Sequence, residues 1–241
     1  MTRLSIVIPA KNEAENIVTL VEGIDAALQA HAPFEIIVVD DCSTDNSVAV
    51  LLARAQTMPH LRVIQHDRSG GQSAAVHSGV KAARAPIVCT LDGDGQNPPE
   101  ELPALAAPLL NDTTGLIGLV AGQRVGRQDT WSKKIASKFA NRIRAWALQD
   151  GTRDTGCGLK AFRRDAFLEM PYFDHMHRYL PALFNRDGWQ VAHVDVTHRQ
   201  RGAGRSNYSN LQRALVGVVD LAGVAWLLRR RKKARVVGGE K

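Results

Sequence analysis

The sequence predicts an α/β domain with a mostly parallel sheet and helices on both of its faces. Four apolar runs rich in β-branched residues, at positions 4–9, 34–39, 61–64 and 85–89, predict buried strands. Apolar residues at helical spacing follow the first run, at Ile17, Leu20, Val21, Ile24 and Leu28. Since strands that alternate with helices pair in parallel, we expect ligands to bind at the carboxyl ends of the strands.

Capping residues predict where the helices begin. Asn12 is placed to cap the first helix, with Glu13 and Glu15 in its first turn, and residues 43–45 are placed to cap the second. Pro98 and Pro99 predict the start of a later helix. Polar clusters fall at the predicted strand ends, at positions 9–13, 40–41, 70–72 and 92–96. Four such clusters at one edge of a sheet predict a binding site.

Length and composition are those of one globular domain with a tail. The 241 residues are 44% hydrophobic, and 31 basic against 24 acidic residues give a net charge of +7. This charge favours an anionic partner, such as nucleic acid, a membrane surface or a phosphorylated substrate. Nucleic acid is disfavoured because the sequence, at 5% aromatic, has no stacking platform and no basic recognition helix. Three scattered cysteines and an amino terminus that runs directly into a strand predict a cytoplasmic protein without a signal peptide.

Two carboxylates lie at the end of the fourth predicted strand, in the sequence Asp92-Gly93-Asp94. They repel each other unless a cation lies between them, and oxygen ligands of this type suit Mg²⁺ or Mn²⁺. Such an ion can also hold the phosphates of a nucleotide. No Gly-x-Gly-x-x-Gly fingerprint follows the first strand and no Walker loop is present, so phosphate binding falls to the metal and to basic side chains. A plain polar turn is the alternative interpretation.

Three motifs, at residues 6–13, 38–45 and 91–96, resemble family 2 glycosyltransferases of GT-A fold. Residues 96–100, 154–164 and 204–208 are similar to the dolichyl- and polyprenyl-phosphate sugar synthases of that family. The resemblance implies an inverting, metal-dependent transfer of a sugar from a GDP- or UDP-linked donor to a polyprenyl phosphate. A transferase that elongates a glycan is the first alternative. A non-catalytic nucleotide-sugar binding protein is the second.

The resemblance also implies a role for each motif residue. The nucleoside contacts are Pro9, Asn12, Glu13, Asp40 and Asp41, with Gln72 nearby. The expected catalytic residues are Asp92, Asp94 and Asp154, of which Asp92 and Asp94 hold the metal together with Gln96. The acceptor phosphate faces Arg124, Lys133, Arg201, Arg205 and Ser206.

Several of these residues have a second interpretation. Lys133 stands where relatives usually carry arginine, which keeps the charge but loses a bidentate contact. Asp40 and Asp154 are also compatible with capping or turn roles, and each arginine with a solvated surface charge. Histidines without metal-ligand spacing are expected to be structural or exposed: His66, His77, His193 and His198.

An apolar segment at positions 214–228 precedes a basic run at 229–233. As a helix the segment spans about 22 Å at ~1.5 Å per residue, short of the ~30 Å hydrocarbon core. With Trp226 near its end, we expect it to lie on the inner face of the cytoplasmic membrane, and a core or dimer interface is the alternative. The expected division is a catalytic domain at 1–210, a membrane-interface helix at 211–228 and a basic tail at 229–241, in a peripheral protein that can form oligomers.

Overall fold

The structure is a computed structural model that describes residues 2–31, 33–125, 148, 150–152, 154, 156–197, 199, 210–230 and 234. Within these residues the chain forms a seven-stranded sheet in the order β3-β2-β1-β4-β6-β5-β7. The strands are β1 (Leu4–Ala10), β2 (Phe34–Asp40), β3 (Leu61–Gln65), β4 (Ile87–Thr90), β5 (Ile117–Arg124), β6 (Lys160–Arg163) and β7 (Gln190–Val196). The four strands predicted from apolar runs are all present.

Pairing is parallel except at β6, which runs antiparallel to both β4 and β5. The prediction of a mostly parallel sheet is therefore confirmed. The reversal at β6 has a functional consequence, because it brings the start of this strand, Lys160, to the edge where the parallel strands end.

Helices cover both faces of the sheet. They are α1 (Ile17–Leu28), α2 (Ser47–Ala55), α3 (Gly71–Ala82), α4 (Leu102–Leu110), α5 (Arg164–Leu168), α6 (Leu180–Arg186) and α7 (Asn210–Arg229). Ile6 and Ile8 of β1 pack into one apolar cluster with α1 and α4, whereas Val7 packs into a second cluster with α3 and α6. Alternate residues of one strand thus serve two cores, which is why the run reads as continuously apolar.

Helix α3 lies very close to the sheet. A Cβ atom at Gly79 would overlap the side chain of Val7 in β1, and Val39 of β2 lies next to it. The close approach packs the second half of α3 directly on β1 and β2, while the beginning of the helix, Gly71, is bonded to Asp41 at the end of β2.

The predicted helix starts were wrong in detail. Helix α1 begins at Ile17 rather than after Asn12, so Glu13 and Glu15 are not in its first turn. Asn12 has a positive φ of 56°, and its Oδ1 accepts the backbone N–H of Thr44 at 2.7 Å. Tertiary hydrogen bonds to a segment about thirty residues away, rather than a helix cap, decide its conformation.

The second predicted start is shifted as well, whereas the third, at Pro98 and Pro99, is confirmed. Helix α2 begins at Ser47, whose N–H donates to Asp45 at 2.9 Å, so of the predicted caps Asp45 is the one that bonds the first turn. Pro99 lies in a short 3-10 turn, Pro99–Glu101, that leads into α4. Proline fits there because the first turn of a helix needs no N–H partner at that position.

Helix α7 covers the apolar segment predicted from the sequence. Val224 is buried against the domain, and Leu221, Leu227 and Leu228 pack beside it. No helix in the described part of the chain has the length and apolar character needed to cross a membrane.

Candidate active site

The carboxyl ends of β1, β2 and β4 bring the predicted polar residues to one edge of the sheet. Asp40 ends β2, and Asp92 follows β4 after two residues. Arg124 ends β5 at the same edge, because β6 between β4 and β5 runs the opposite way. Residues that are far apart in sequence therefore meet in one site.

Both oxygens of Asp41 form hydrogen bonds with the loop that follows β3. Its Oδ1 accepts the N–H of Gly70 and contacts Nδ1 of His66, both at 2.8 Å. Its Oδ2 accepts the Ser69 hydroxyl at 2.7 Å and the N–H of Gly71 at 2.9 Å. Burial opposes ionisation, but these bonds outweigh it and lower the pKa of Asp41. Asp41 thus anchors the loop that leads into α3.

Asp40 is buried, and its two oxygens differ. Oδ2 accepts the N–H of Ser43 at 3.1 Å. Oδ1 is buried and has no hydrogen-bond partner within the described residues. A buried acceptor without a partner destabilises the fold, so a ligand that donates a hydrogen bond to Oδ1 would supply the interaction that is missing.

Asn12 and Glu13 lie in a loop that is bound to the segment after β2. The N–H of Asn12 donates to the Ser43 hydroxyl at 2.8 Å, and the N–H of Glu13 donates to Ser47 at 2.9 Å. The N–H of Ala14 donates to Asp45 at 3.1 Å. These bonds join the two loops that border Asp40 and give the edge a fixed shape.

Asp92 and Asp94 lie on the turn after β4. Asp92 accepts the side-chain amides of Gln72 at 2.7 Å and Asn97 at 3.4 Å. Asp94 Oδ1 accepts the N–H of Gln96 at 3.1 Å, which brings the third predicted metal residue beside the carboxylates. Gln72, which was expected near the nucleoside, thus contacts Asp92, the first of the predicted metal ligands.

The electrostatics of this turn fit a bound cation. Burial raises the pKa of Asp92, the charge of Asp94 raises it further, and the attraction of Lys160, the Asn97 hydrogen bond and Arg124 offset only part of the effect. The described residues hold no group of three or more His, Cys, Asp or Glu side chains suited to a metal. A metal here would be bound by Asp92, Asp94 and Gln96, a hard oxygen set that leaves positions for substrate phosphates.

Gly158 lies very close to the turn that carries Asp92. A Cβ atom at Gly158 would overlap the Asp92 carboxylate, so glycine is required there. The Thr90 hydroxyl donates to the Gly158 carbonyl at 2.9 Å and fixes the two segments together.

Arg124 and Asp154 form a bidentate ion pair. Nε of Arg124 lies 2.5 Å from Oδ2 of Asp154, and Nη2 lies 2.9 Å from Oδ1. The hydrogen bond to Asp154 raises the pKa of Arg124. The N–H of Asp154 donates to Gln123 at 3.0 Å, and the N–H of Gly156 donates to Asp154 at 3.1 Å. The predicted transfer-centre acid and the predicted phosphate arginine are therefore one unit. The other expected acceptor residues, Lys133, Arg201, Arg205 and Ser206, lie outside the described residues.

A small cavity of about 230 Å³ opens beside Asp92. Its polar lining includes Gln72, Asp92, Lys160, His177 and Arg178, and Pro9 and Gly158 complete one wall. Lys160 is buried, its ammonium donates to the Cys157 carbonyl, and burial lowers its pKa. Sequence reasoning did not single out Lys160 or His177. Lys160 lies within the motif at 154–164, whereas nothing in the sequence around His177 points to the site.

Three of the four histidines that were expected to be structural or exposed lie in the described part of the chain. His66 binds Asp41 and Ser78, His77 packs on Phe167 and Tyr172, and His193 contacts Thr152 at 3.1 Å. His198 lies outside the described residues. For the three described histidines the structural interpretation is in agreement with the contacts.

Comparison with known proteins gives the family. The model of glycosyl transferase family 2 matches residues 5–170, and the chain belongs to this family. The undecaprenyl-phosphate 4-deoxy-4-formamido-L-arabinose transferase of Serratia proteamaculans is 37% identical over 210 residues, which are 86% of this chain and 63% of the relative. The transferase of the same name from Proteus mirabilis is 35% identical over 214 residues, or 88% of this chain and 64% of the relative. The chain thus spans less than two thirds of the length of these curated relatives.

Solved structures give the fold. Glucosyl-3-phosphoglycerate synthase from Mycobacterium tuberculosis, in complex with Mn²⁺, UDP and phosphoglyceric acid, has a TM-score of 0.72 at 20% identity, over 97% of this chain and 80% of that one. The same enzyme with Mn²⁺ and UDP-glucose has a TM-score of 0.70 at 21% identity, over 96% of this chain and 81% of that one. The predicted GT-A type fold and the resemblance to family 2 are both confirmed.

Proposed function

We propose that the protein transfers a sugar from a nucleotide-sugar donor to a polyprenyl phosphate. The observation that carries the proposal is the Asp92 and Asp94 pair on the turn after β4, where burial and the charge of Asp94 raise the pKa of Asp92, next to a cavity that suits one sugar ring. Relatives at 35–37% identity are named as transferases of this kind, with undecaprenyl phosphate as the lipid.

The donor nucleoside would bind at the ends of β1 and β2, along Pro9, Asn12, Glu13 and Asp40. The buried Oδ1 of Asp40 is an acceptor for an N–H or O–H group of the nucleoside. Asp41 would act indirectly, by fixing the loop that carries Gln72 toward Asp92. We propose UDP as the nucleotide rather than GDP, because the solved neighbours contain UDP.

The donor diphosphate would bind at Asp92, Asp94 and Gln96 together with Mg²⁺ or Mn²⁺. When bound, the metal supplies positive charge to the diphosphate as it leaves. The residues of the chain position the carboxylate. The close approach of Gly158 and the hydrogen bonds from the side-chain amides of Gln72 and Asn97 fix Asp92 in one orientation. The solved neighbours were crystallised with Mn²⁺, which supports this assignment.

The acceptor supplies the nucleophile. A phosphate oxygen of the lipid attacks the anomeric carbon, the bond from that carbon to the diphosphate oxygen breaks, and the nucleoside diphosphate leaves with the electron pair. No general base is needed, because a lipid phosphate is already ionised, and displacement at one face inverts the configuration. Arg124, Lys133, Arg201, Arg205 and Ser206 would hold the phosphate, with Asp154 fixing the guanidinium of Arg124 at the transfer centre.

Helix α7 would bring the site to the membrane. One face packs on the domain through Val224, while Val218, Val219 and Trp226 are 68%, 72% and 60% exposed on another. Arg229 and Arg230 follow this apolar face, and the Arg230 guanidinium lies over the Trp226 ring. Basic residues beside an exposed apolar face are typical of helices that lie in the interface of an anionic leaflet. The proposal therefore keeps a catalytic domain at 1–210, an interface helix at 211–228 and a basic tail at 229–241, peripheral to the cytoplasmic leaflet.

The test is a transfer assay with purified protein, Mn²⁺ and undecaprenyl phosphate in vesicles. Donors are UDP-glucose, UDP-N-acetylglucosamine, GDP-mannose and a UDP-linked 4-formamido-arabinose, the last chosen from the name of the relatives. We expect an acid-labile lipid-linked sugar and release of nucleoside diphosphate with a UDP-linked donor. Transfer to a soluble glycan but not to the lipid would instead indicate glycan elongation. Binding of donor without transfer to either acceptor would indicate a non-catalytic binding protein.

A further inference from the structure

His177 is held in one orientation by a serine from a distant helix. Its Nδ1 lies 2.7 Å from the hydroxyl oxygen of Ser73 in α3, and its backbone N–H donates to the same oxygen at 3.3 Å. The two residues are 104 positions apart, so the contact fixes the short turn Met176–Arg178 against the start of α3. His177 and Gln72, which precedes Ser73, both line the cavity beside Asp92.

The hydrogen bond also fixes where the imidazole carries its proton. Within the described residues, the Ser73 hydroxyl has no acceptor for its own hydrogen other than Nδ1 of His177. Nδ1 is then the acceptor, and a neutral ring in this state carries its proton on Nε2. Burial and the nearby charges of Lys160, Arg178 and His175 hold the pKa of His177 well below its usual range, which keeps the ring neutral at physiological pH.

Nε2 of His177 has no hydrogen-bond partner among the described residues, and the ring borders the cavity. A neutral N–H donor at a cavity wall suits an uncharged oxygen acceptor, such as a sugar hydroxyl, ring oxygen or amide carbonyl. The cavity is about 230 Å³, below the ~300–1,000 Å³ typical of sites for larger ligands, so it holds a single ring rather than a nucleoside diphosphate.

We infer that His177 is a specificity-determining residue for the donor sugar: its Nε2–H donates to an oxygen of the sugar ring or its substituent, and Ser73 positions it. The inference rests on the proposed function, since it assigns the cavity beside Asp92 to the sugar of the same donor. Gln72 and Lys160 line the same cavity and complete the polar wall around that ring.

The experiment compares His177→Phe, His177→Gln and Ser73→Ala with the wild type. Binding of the preferred nucleotide sugar and of its nucleoside diphosphate is measured by calorimetry with Mn²⁺, and the Michaelis constants of both substrates are measured by transfer. Phenylalanine keeps the ring without the N–H, whereas glutamine places an amide N–H near the position of Nε2. His175→Asn is the matched control, because His175 lies on the same loop but contacts Asp220 of α7 and does not line the cavity.

We expect His177→Phe to weaken nucleotide-sugar binding and to lower kcat/KM for the donor by roughly 5- to 100-fold, the range for an unmet buried hydrogen bond. The affinity for the nucleoside diphosphate and the KM for the lipid phosphate should not change. His177→Gln should recover most of the loss, Ser73→Ala should show part of it, and His175→Asn should behave as the wild type.

Three results would overturn the inference. Equal weakening of the nucleotide sugar and the nucleoside diphosphate would assign His177 to the nucleotide. A change confined to the KM of the lipid phosphate would assign it to the acceptor. No change in His177→Phe would make its role structural. If that variant does not fold, Ser73→Ala decides by the same readouts. If the wild type transfers no sugar from any donor, the proposed function fails, and the two binding measurements still decide the inference.

Discussion

Asp41 and Asp92 follow two parallel strands at the same edge of the sheet, yet their surroundings differ. Asp41 takes hydrogen bonds from Ser69, Gly70 and Gly71 and contacts His66, and its pKa is lowered in spite of burial. Asp92 is contacted by the amides of Gln72 and Asn97, and its pKa is raised by burial and by Asp94. Hydrogen bonds therefore favour the ionised form of Asp41, whereas burial and the charge of Asp94 disfavour the ionised form of Asp92.

The difference separates a structural acid from one kept for a ligand. Neutral donors from a neighbouring loop stabilise a carboxylate and at the same time fix that loop, which is the role of Asp41. Asp92 and Asp94 are two carboxylates on one turn, and their hydrogen bonds from Gln72, Asn97 and Gln96 do not remove the repulsion between them. A bound cation would remove it, which is the role we propose for this pair. Both types of acid have the same appearance in the sequence, as an aspartate at a strand end.

The largest expected effect is on catalysis at Asp92. Asp92→Asn keeps the shape and removes the charge, so we expect kcat/KM for transfer to fall by about 100- to 1,000-fold, as when one group that stabilises developing charge is removed. Asp165→Asn is the control, because this side chain is 88% exposed in an ion pair with Arg164. Activity of Asp92→Asn near that of the wild type, or full wild-type activity in excess chelator, would remove the metal assignment.

The pair Arg124–Asp154 is a third case, in which the carboxylate is neutralised by a bidentate ion pair with an arginine. Arg124→Lys loses the bidentate contact but keeps the charge, so we expect the KM for the lipid phosphate to rise about 10-fold or more, from a charge-assisted bond of about 1.5–3 kcal/mol. Steady-state kinetics of Arg124→Lys, Asp154→Asn and the double variant measure the coupling. Strictly additive effects would show that the two residues act independently, and a change confined to the donor KM would move Arg124 to the donor side.

At Asp41 we expect a loss of stability rather than of chemistry. Asp41→Asn turns one acceptor into a donor that faces Ser69 or the loop N–H groups, which should lower the free energy of unfolding by about 1–3 kcal/mol. Ser69→Ala removes one donor and should cost less, about 0.5–1.5 kcal/mol. Urea unfolding measures both variants. An unchanged midpoint for Asp41→Asn together with lost transfer would mean that Asp41 contacts substrate directly.

The smallest expected effect is at the exposed face of α7. Val219→Asp adds a charge at a position that is 72% exposed, so it should leave stability unchanged and reduce adsorption to anionic vesicles by about 1 kcal/mol, or roughly fivefold. Leu52→Asp, at an exposed position of α2, is the matched control and should leave adsorption unchanged. Vesicle sedimentation at low and high salt measures the effect. If the wild type does not bind vesicles at any salt concentration, the exposed face belongs to an interface between proteins.

Much of the fold could be predicted from local patterns. The strands that begin at Leu4 and Phe34 were placed correctly because each is a β-branched run buried on both faces, and the half-buried edge strand that begins at Leu61 was placed correctly from its short apolar run. The position of Asn12 was not, because its positive φ is set by hydrogen bonds to Ser43 and Thr44 rather than by its neighbours. The antiparallel β6 was also missed, since alternation of strands and helices predicts only parallel pairing.

The candidate site divides in the same way. Asp92, Asp94 and Gln96 were found because they are adjacent in sequence and carry the ligand chemistry themselves. His177 was missed, because its role depends on Ser73, 104 residues away, and on a cavity that exists only in the folded chain. The sequence also does not distinguish Asp41 from Asp92, because the groups that donate hydrogen bonds to Asp41 lie about thirty residues away, in the loop after β3.

The contrast between Asp92 and Asp41 is tested most directly by the unfolding midpoints of wild type and Asp92→Asn, first in chelator and then with Mn²⁺ and UDP. In chelator we expect Asp92→Asn to be the more stable, by roughly 1 kcal/mol, because it removes the charge repulsion with Asp94. The side-chain amides of Gln72 and Asn97, unlike the backbone donors at Asp41, can turn to present an oxygen to the new NH₂ group. Mn²⁺ with UDP should raise the midpoint of the wild type well above that of the variant, so that the order of stability reverses. A variant that is less stable than the wild type in chelator, or an equal rise of both midpoints with Mn²⁺ and UDP, would contradict the account.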